Sequence, residues 1–172
     1  MKIPKNLPQF EKQPALFVAS GEYEAKFYLA LNGILDLKAE IKMPPRQEAR
    51  EKQAFIGIKG EKRGLASVSH QGAYLEDLKK KFSQKIYSAI RSLLIKYQLR
   101  EIYFFAPSYV ANRVMKKINP LERKKIRMII NKELTKTNPL AMIKIFWQET
   151  QSAITLKTKP EKEKIFPRLR KK

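Results

Sequence analysis

The sequence predicts an α/β domain: a five-stranded mixed sheet with helices on its faces. Three observations predict it. Two stretches of alternating apolar and polar residues flank Asn32-Gly33, a hairpin signature. Tyr74–Tyr97 carries a single apolar stripe at spacings of three and four, the mark of an amphipathic helix. Two short apolar runs, Ile102–Ala106 and Ile126–Ile130, are separated by a helical stretch, as parallel strands joined by a crossover must be.

Taken in order, residues 1–14 hold Pro4, Pro8 and Pro14 and read as an extended arm outside the core. Ala15–Ala19 is wholly apolar, which suits a central strand. In Tyr23–Leu31, residues Tyr23, Ala25, Phe27, Leu29 and Leu31 alternate with Glu24, Lys26, Tyr28 and Ala30. That is the pattern of a half-buried strand. Both turn positions of Asn32-Gly33 need positive φ, which these residues tolerate. Ile34–Met43 alternates again, with Leu35, Leu37, Ala39 and Ile41 against Asp36, Lys38, Glu40 and Lys42.

Pro44-Pro45 ends the meander. Residues 43–72 then read as a long basic loop with Gly57, Gly60, Gly64 and Gly72, and a short piece of strand fits at Ala54–Ile58. Loops of this length inside a domain are usually functional or disordered. The helix Tyr74–Tyr97 places Leu75, Leu78, Phe82, Ile86, Ile90, Leu93 and Tyr97 on its stripe. Glu76 and Asp77 fall in its expected first turn and Lys96 and Arg100 at its end, as the helix dipole favours.

Ile102–Ala106 has no alternation and is expected to be covered on both faces. Val110, Val114 and Ile118 form a helical stripe, Asn119-Pro120 breaks it, and Leu121–Lys125 offers another turn of helix. Asn138 is a suitable N-cap with Pro139 at the first helical position. Leu140, Ile143 and Trp147 are the expected inner face of the last helix. The pattern ends near Thr155. The predicted organisation is therefore an arm (1–14), one α/β domain with a basic loop (15–154) and a flexible basic tail (155–172). An antiparallel meander followed by parallel crossovers is the ribonuclease H-like element order, with strand order 3-2-1-4-5.

Charge is the other strong signal. The 172 residues carry 37 Lys+Arg against 16 Asp+Glu, a formal net charge of +21. The tail holds eight Lys/Arg against two Glu, or +6, which leaves +15 on the rest. So one-signed a surface repels itself unless a polyanion neutralises it. RNA or the ribosome is the expected partner, and an anionic membrane surface is the second class that the charge admits. The chain has no cysteine, which excludes disulfides, thiol nucleophiles and thiolate metal sites and fits a cytoplasmic location. No apolar run reaches spanning length. The residues carry no signal of oligomeric state.

The segment Phe105-Ala106-Pro107-Ser108-Tyr109, then Lys132-Glu133-Leu134-Thr135, then Asn138-Pro139 resembles the bacterial host-attachment protein family. That family is related to the middle domain of eukaryotic and archaeal peptide release factors. The resemblance covers roughly residues 15–150. It implies the same sheet and a loop before the long helix that, in release factors, carries Gly-Gly-Gln. The corresponding place here is about 57–72. It contains Ser69-His70-Gln71-Gly72 but no Gly-Gly-Gln, so the resemblance does not imply release activity. The family name implies a cell-surface phenotype as the alternative reading.

Catalytic signals are weak. One histidine and no cysteine cannot build a structural zinc site. The central strands lack the convergent carboxylates of a two-metal nuclease; only Glu101 and Glu133 lie at strand ends. His70 beside Ser67 and Ser69 is read as a phosphate or water contact. There is no P-loop and no dinucleotide fingerprint, so no cofactor and no metal are expected. The sequence reading is a non-enzymatic RNA- or ribosome-associated protein. Its phosphate contacts would be Arg46, Arg50, Lys52, Lys59, Lys62, Arg63 and His70 in the loop, with Arg168, Arg170, Lys171 and Lys172 in the tail.

Overall fold

The computed structural model describes residues 1–44 and 66–158, the side chains of 66–71, 73 and 153–158 excepted. Its elements are β1 (Ala15–Ser20), β2 (Glu24–Leu31), β3 (Ile34–Lys42), α1 (Ala66–Lys96), β4 (Glu101–Phe105), α2 (Ser108–Met115), α3 (Pro120–Arg123), β5 (Ile126–Ile130) and α4 (Leu140–Thr158). The strands form one sheet in the order β3-β2-β1-β4-β5. β1 pairs antiparallel with β2 and parallel with β4, and β5 is parallel to β4. This is the expected order and polarity.

Two cores lie on opposite faces of the sheet. On one face α1 and α2 cover Leu16, Val18, Phe27, Ile102 and Phe104 with Phe82, Ile86, Ile90, Val110 and Val114. On the other, α4 covers Phe17, Tyr28, Tyr103, Phe105 and Ile130 with Met142, Ile143 and Phe146. Every residue of β1 is buried, as the unbroken apolar run Ala15–Ala19 requires.

Several local expectations change. β2 is buried on both faces from Phe27 to Ala30 rather than half-buried, because α1 and the opposite core each claim one side of it. β3 does not keep one apolar face. Phe27 pairs with Ala39 and Tyr28 with Leu37, so Lys38 is an extra residue in β3. Beyond that bulge the alternation inverts: Leu35 enters the α4-side core, while Ala39 and Ile41 pack toward α1. In α4 the inward side chain is Phe146, and Trp147 is 37% exposed.

The first ten residues are not outside the core. Ile3 and Leu7 are buried against the α4-side cluster. The Ile3 N–H donates to the Gly33 carbonyl at 2.7 Å, and the Leu35 N–H to the Met1 carbonyl at 2.8 Å. Three prolines stop a regular strand here, but they do not stop side chains from docking. The hairpin they rest on has the expected positive φ at both turn residues, 49° at Asn32 and 72° at Gly33. Gly33→Ala is expected to cost about 1–2 kcal/mol through the left-handed backbone penalty, read from urea denaturation.

Helix α1 starts eight residues before the expected Tyr74, at Ala66. Glu76 and Asp77 therefore lie in its third turn, and the first turn holds no acid. Gly72 disguised this start. Glycine inside a helix costs about 1 kcal/mol relative to alanine but is tolerated, and among the described residues no other element lies within 4 Å of where its Cβ would be. At the other terminus α4 runs through Thr158, so residues 155–158 belong to the helix rather than the tail. The breaks at the two Asn-Pro pairs are as expected. Asn119 Oδ1 accepts from the Leu121 N–H and Asn138 Oδ1 from the Leu140 N–H, each at 3.0 Å.

Tyr103 is a core aromatic. Its ring stacks on Phe17 at 4.9 Å, and its hydroxyl donates to Glu101 Oε2 at 2.8 Å. Burial first, and that hydrogen bond second, push its hydroxyl above the ordinary tyrosine range. A tyrosine held protonated in the fold contributes stability that is complete below its unfolded pKa and falls as pH rises past it. Stability is thus expected to decline above about pH 10. Tyr103→Phe should decline less over the same window, measured as urea midpoints at about pH 8 and pH 11.

Candidate nucleic-acid interface

Of the residues expected to contact phosphate, Arg46, Arg50, Lys52, Lys59, Lys62, Arg63, Arg168, Arg170, Lys171 and Lys172 lie outside the described residues, as does the strand expected at Ala54–Ile58. His70 lies in the second turn of α1, not in a loop. The described residues give the α/β scaffold and its charge.

Open α/β sheets place sites at the carboxyl ends of their parallel strands. Here that end is mutually satisfied. Ser20 is fully buried and donates to the Gly21 carbonyl at 3.1 Å. Glu133 packs over Gly21, and the buried Thr135 hydroxyl donates to it at 3.3 Å. Lys26 Nζ donates to the Thr135 carbonyl at 2.8 Å and lies 3.0 Å from Glu24, which raises its pKa. Lys132–Thr135 and Ala106-Pro107 thus have structural work: Ala106 N–H joins β4 to the Ile130 carbonyl, and Pro107 is the N-cap of α2.

Beside this end, Arg113 Nη2 meets both Glu76 oxygens at 3.1 Å and holds that carboxyl below its usual range. Lys79 adds contacts to Glu22 at 3.8 Å and to Glu76 at 3.7 Å. The cleft between Glu22, Lys79, Tyr109 and Arg113 has room for about 10 Å³, one water at most. Glu101 sits at the opposite, amino end of β4, bound to Tyr103 and 3.3 Å from Arg127. A five-residue strand separates it from the Glu133 end by roughly 16 Å. Glu101 and Glu133 therefore cannot act on one bond. Among the described residues no three acidic or imidazole groups gather as metal ligands.

The amino end of the parallel strands differs. Between residues 91 and 127 there are ten Lys/Arg against two Glu, a net +8. The contacts place the end of α1, the start of β4, α3 and the start of β5 at one corner. Arg91 Nε lies 3.7 Å from Glu122, Lys125 Nζ donates to the Leu99 carbonyl at 3.1 Å, and Arg127 meets Glu101. Lys116, Lys117, Arg123 and Lys124 are exposed there, without an ion pair among the described residues. A groove of about 310 Å³ opens beside them, lined by Met115, Arg123, Ile126, Arg127, Met128 and Ile129. The phosphate contacts expected from sequence did not include this cluster. The run Arg123-Lys124-Lys125 next to Lys116-Lys117 was the available signal.

Among the described residues no helix is long and apolar enough to cross a membrane. No protein-family model matches the chain, and no curated protein matches it by sequence. Among solved structures, it has weak structural similarity to the archaeal translation termination factor aRF1, with 12% identity and a TM-score of 0.40 over 84% of this chain and 41% of that one. Against Dom34 of S. cerevisiae, described as a translation termination-like factor involved in RNA quality control pathways, identity is 14% and the TM-score 0.42, over 87% of this chain and 40% of that one. A pCBH ParM mutant matches at 11% identity and TM-score 0.44, over 82% of this chain and 48% of that one. The chain spans less than half the length of each of these structures.

Proposed function

We propose that this chain is a non-enzymatic RNA- or ribosome-associated protein, built on a release-factor-like middle domain without Gly-Gly-Gln. The observation that carries the reading is the formal charge of +21 on 172 residues. An excess of that size costs free energy through self-repulsion, and a polyanion removes it while releasing its own counterions. The described acids neutralise cations mainly around β2, β3 and the first half of α1, through Lys26, Lys38, Lys42, Lys79 and Lys81. They leave the amino end of the parallel strands positive. The basic residues of 46–63 and of 168–172 add phosphate contacts in this reading.

Sedimentation through sucrose at low and high salt tests it. The protein should travel with ribosomes or RNA at about 50 mM salt and be released at a few hundred millimolar, because phosphate-driven affinity falls by about 10³–10⁵ between 50 and 200 mM for six to ten contacts. A protein that stays at the top of the low-salt gradient would end the proposal.

A further inference from the structure

We infer that the corner formed by the end of α2, α3 and the start of β5 is a seat for single-stranded RNA, a reading that rests on the RNA association proposed above. Lys116, Lys117, Arg123, Lys124 and Arg127 would contact the phosphates, and the adjoining groove would take a base or ribose.

The chemistry of the corner points there. Four of these cations are exposed without an ion pair among the described residues. Some bland roles are available. Lys116 caps α2, where a cation suits the helix dipole. That does not account for Lys117, Arg123 and Lys124. Nor does the local acid neutralise them. Glu122 faces Arg91 with one oxygen, and its other, Oε2, is buried with no hydrogen-bond partner among the described residues. The cluster is therefore left as a concentrated positive field.

The groove supplies the second component. It is lined by the apolar side chains of Met115, Ile126, Met128 and Ile129 together with Arg123 and Arg127. Ile129 is 44% exposed and Leu121, on α3, is 71% exposed. A flat group that buries one apolar face while carrying an anion beside it fits this arrangement. A nucleotide of a single strand is such a group: its unstacked base is free to lie on an apolar or guanidinium surface while its phosphate meets the neighbouring cations. A duplex keeps its bases stacked and could use only the cations.

An extended peptide added to the edge of β5 is the competing occupant. The edge is built against it. The β4–β5 register shifts between Ile102 and Tyr103, and Arg127 stands exposed at that irregularity. A bulge and a charge on an edge strand are the usual means of preventing strand addition.

The test uses the full chain and a fluorescent single-stranded oligoribonucleotide, with a duplex of the same length as competitor. In the K116Q/K117Q/R123Q/K124Q variant, single-strand affinity at 100 mM salt should fall about tenfold or more, and the slope of log K against log salt should lose about one for each phosphate contact removed. All four side chains are exposed, so the urea midpoint should hold and separate lost binding from lost folding. The parent chain should prefer the single strand over the duplex by about tenfold. An R46Q/R50Q/K52Q variant serves as comparison for the loop.

If the parent chain binds RNA and the four-residue variant binds equally well, this seat is wrong while RNA association stands. If the parent chain binds no RNA at low salt, both fall. Equal affinity for duplex and single strand would overturn the role of the groove. Displacement by polyglutamate as effective as by RNA would point to an acidic protein partner and overturn the assignment.

Discussion

Phe17→Ala is expected to lower the free energy of unfolding by about 3–5 kcal/mol, enough to unfold a domain of ordinary marginal stability at moderate temperature. Phe17 lies on β1, the central strand, with no exposed surface. Its ring stacks on Tyr103 at 4.9 Å and Phe105 at 6.3 Å and meets the edges of Phe10 at 5.5 Å and Phe146 at 5.9 Å. Those partners come from the amino-terminal arm, the neighbouring strand and α4. Removing the ring leaves a cavity bounded by three separate elements, and a strand paired on both sides cannot move in to fill it. Phe17→Leu keeps most of the volume and should cost about 1–2 kcal/mol. Urea midpoints of the two variants, compared with the parent, decide the point. A loss below about 1 kcal/mol for alanine would mean that β1 is not the centre of that core.

The strength of that prediction comes from a part of the fold that was readable in advance. A strand covered on both faces needs no alternation, so ALFVA and IYFFA declare themselves. The stripe of α1 from Leu78 to Leu93 and the Asn-Gly hairpin are equally local signals. Together with the preference for short right-handed crossovers they leave little choice of strand order. The boundaries were less legible for one physical reason: local breakers are outvoted by tertiary contacts. Gly72 does not end α1, and three prolines do not keep Ile3 and Leu7 out of the core.

The candidate site was legible only as a sign of charge. Composition states that the surface is positive, but which cations stay unpaired depends on where the folded acids fall. Glu76 bridges to Arg113 across 37 positions of sequence, and Glu122 reaches back to Arg91. Neither pairing has a local pattern. The corner at Lys116–Arg127 emerges only when β4 is placed parallel to β5 and the end of α1 is brought beside α3. The motif residues, by contrast, carried family likeness without chemistry: Ala106, Pro107, Glu133 and Thr135 hold the sheet end together.

The second large effect tests the place where alternation misleads. Leu35→Asp should cost about 3–5 kcal/mol, and Leu37→Asp less than about 1 kcal/mol. By sequence the two leucines are equivalent, two residues apart on one apolar face of the same strand. In the fold Leu35 is 2% exposed and Leu37 51%. Both lie on the α4 side of the sheet, opposite Ala30 and Tyr28, because the bulge at Lys38 has moved them away from the α1 side. Only Leu35 is roofed. Met1 exchanges hydrogen bonds with it, its ammonium and its carbonyl at 3.0 and 2.8 Å from the Leu35 backbone, and Ile3 and Leu7 complete the cover. An aspartate there would be a charge buried in the apolar α4-side cluster. The chain would relieve it by undocking the arm, and the cost would be the loss of the arm's packing instead. Limited proteolysis distinguishes the two responses: cleavage within the first ten residues should accelerate in Leu35→Asp and stay at the parent rate in Leu37→Asp. Equal destabilisation by both substitutions would mean that β3 keeps an unbroken alternation and that the arm does not cover it.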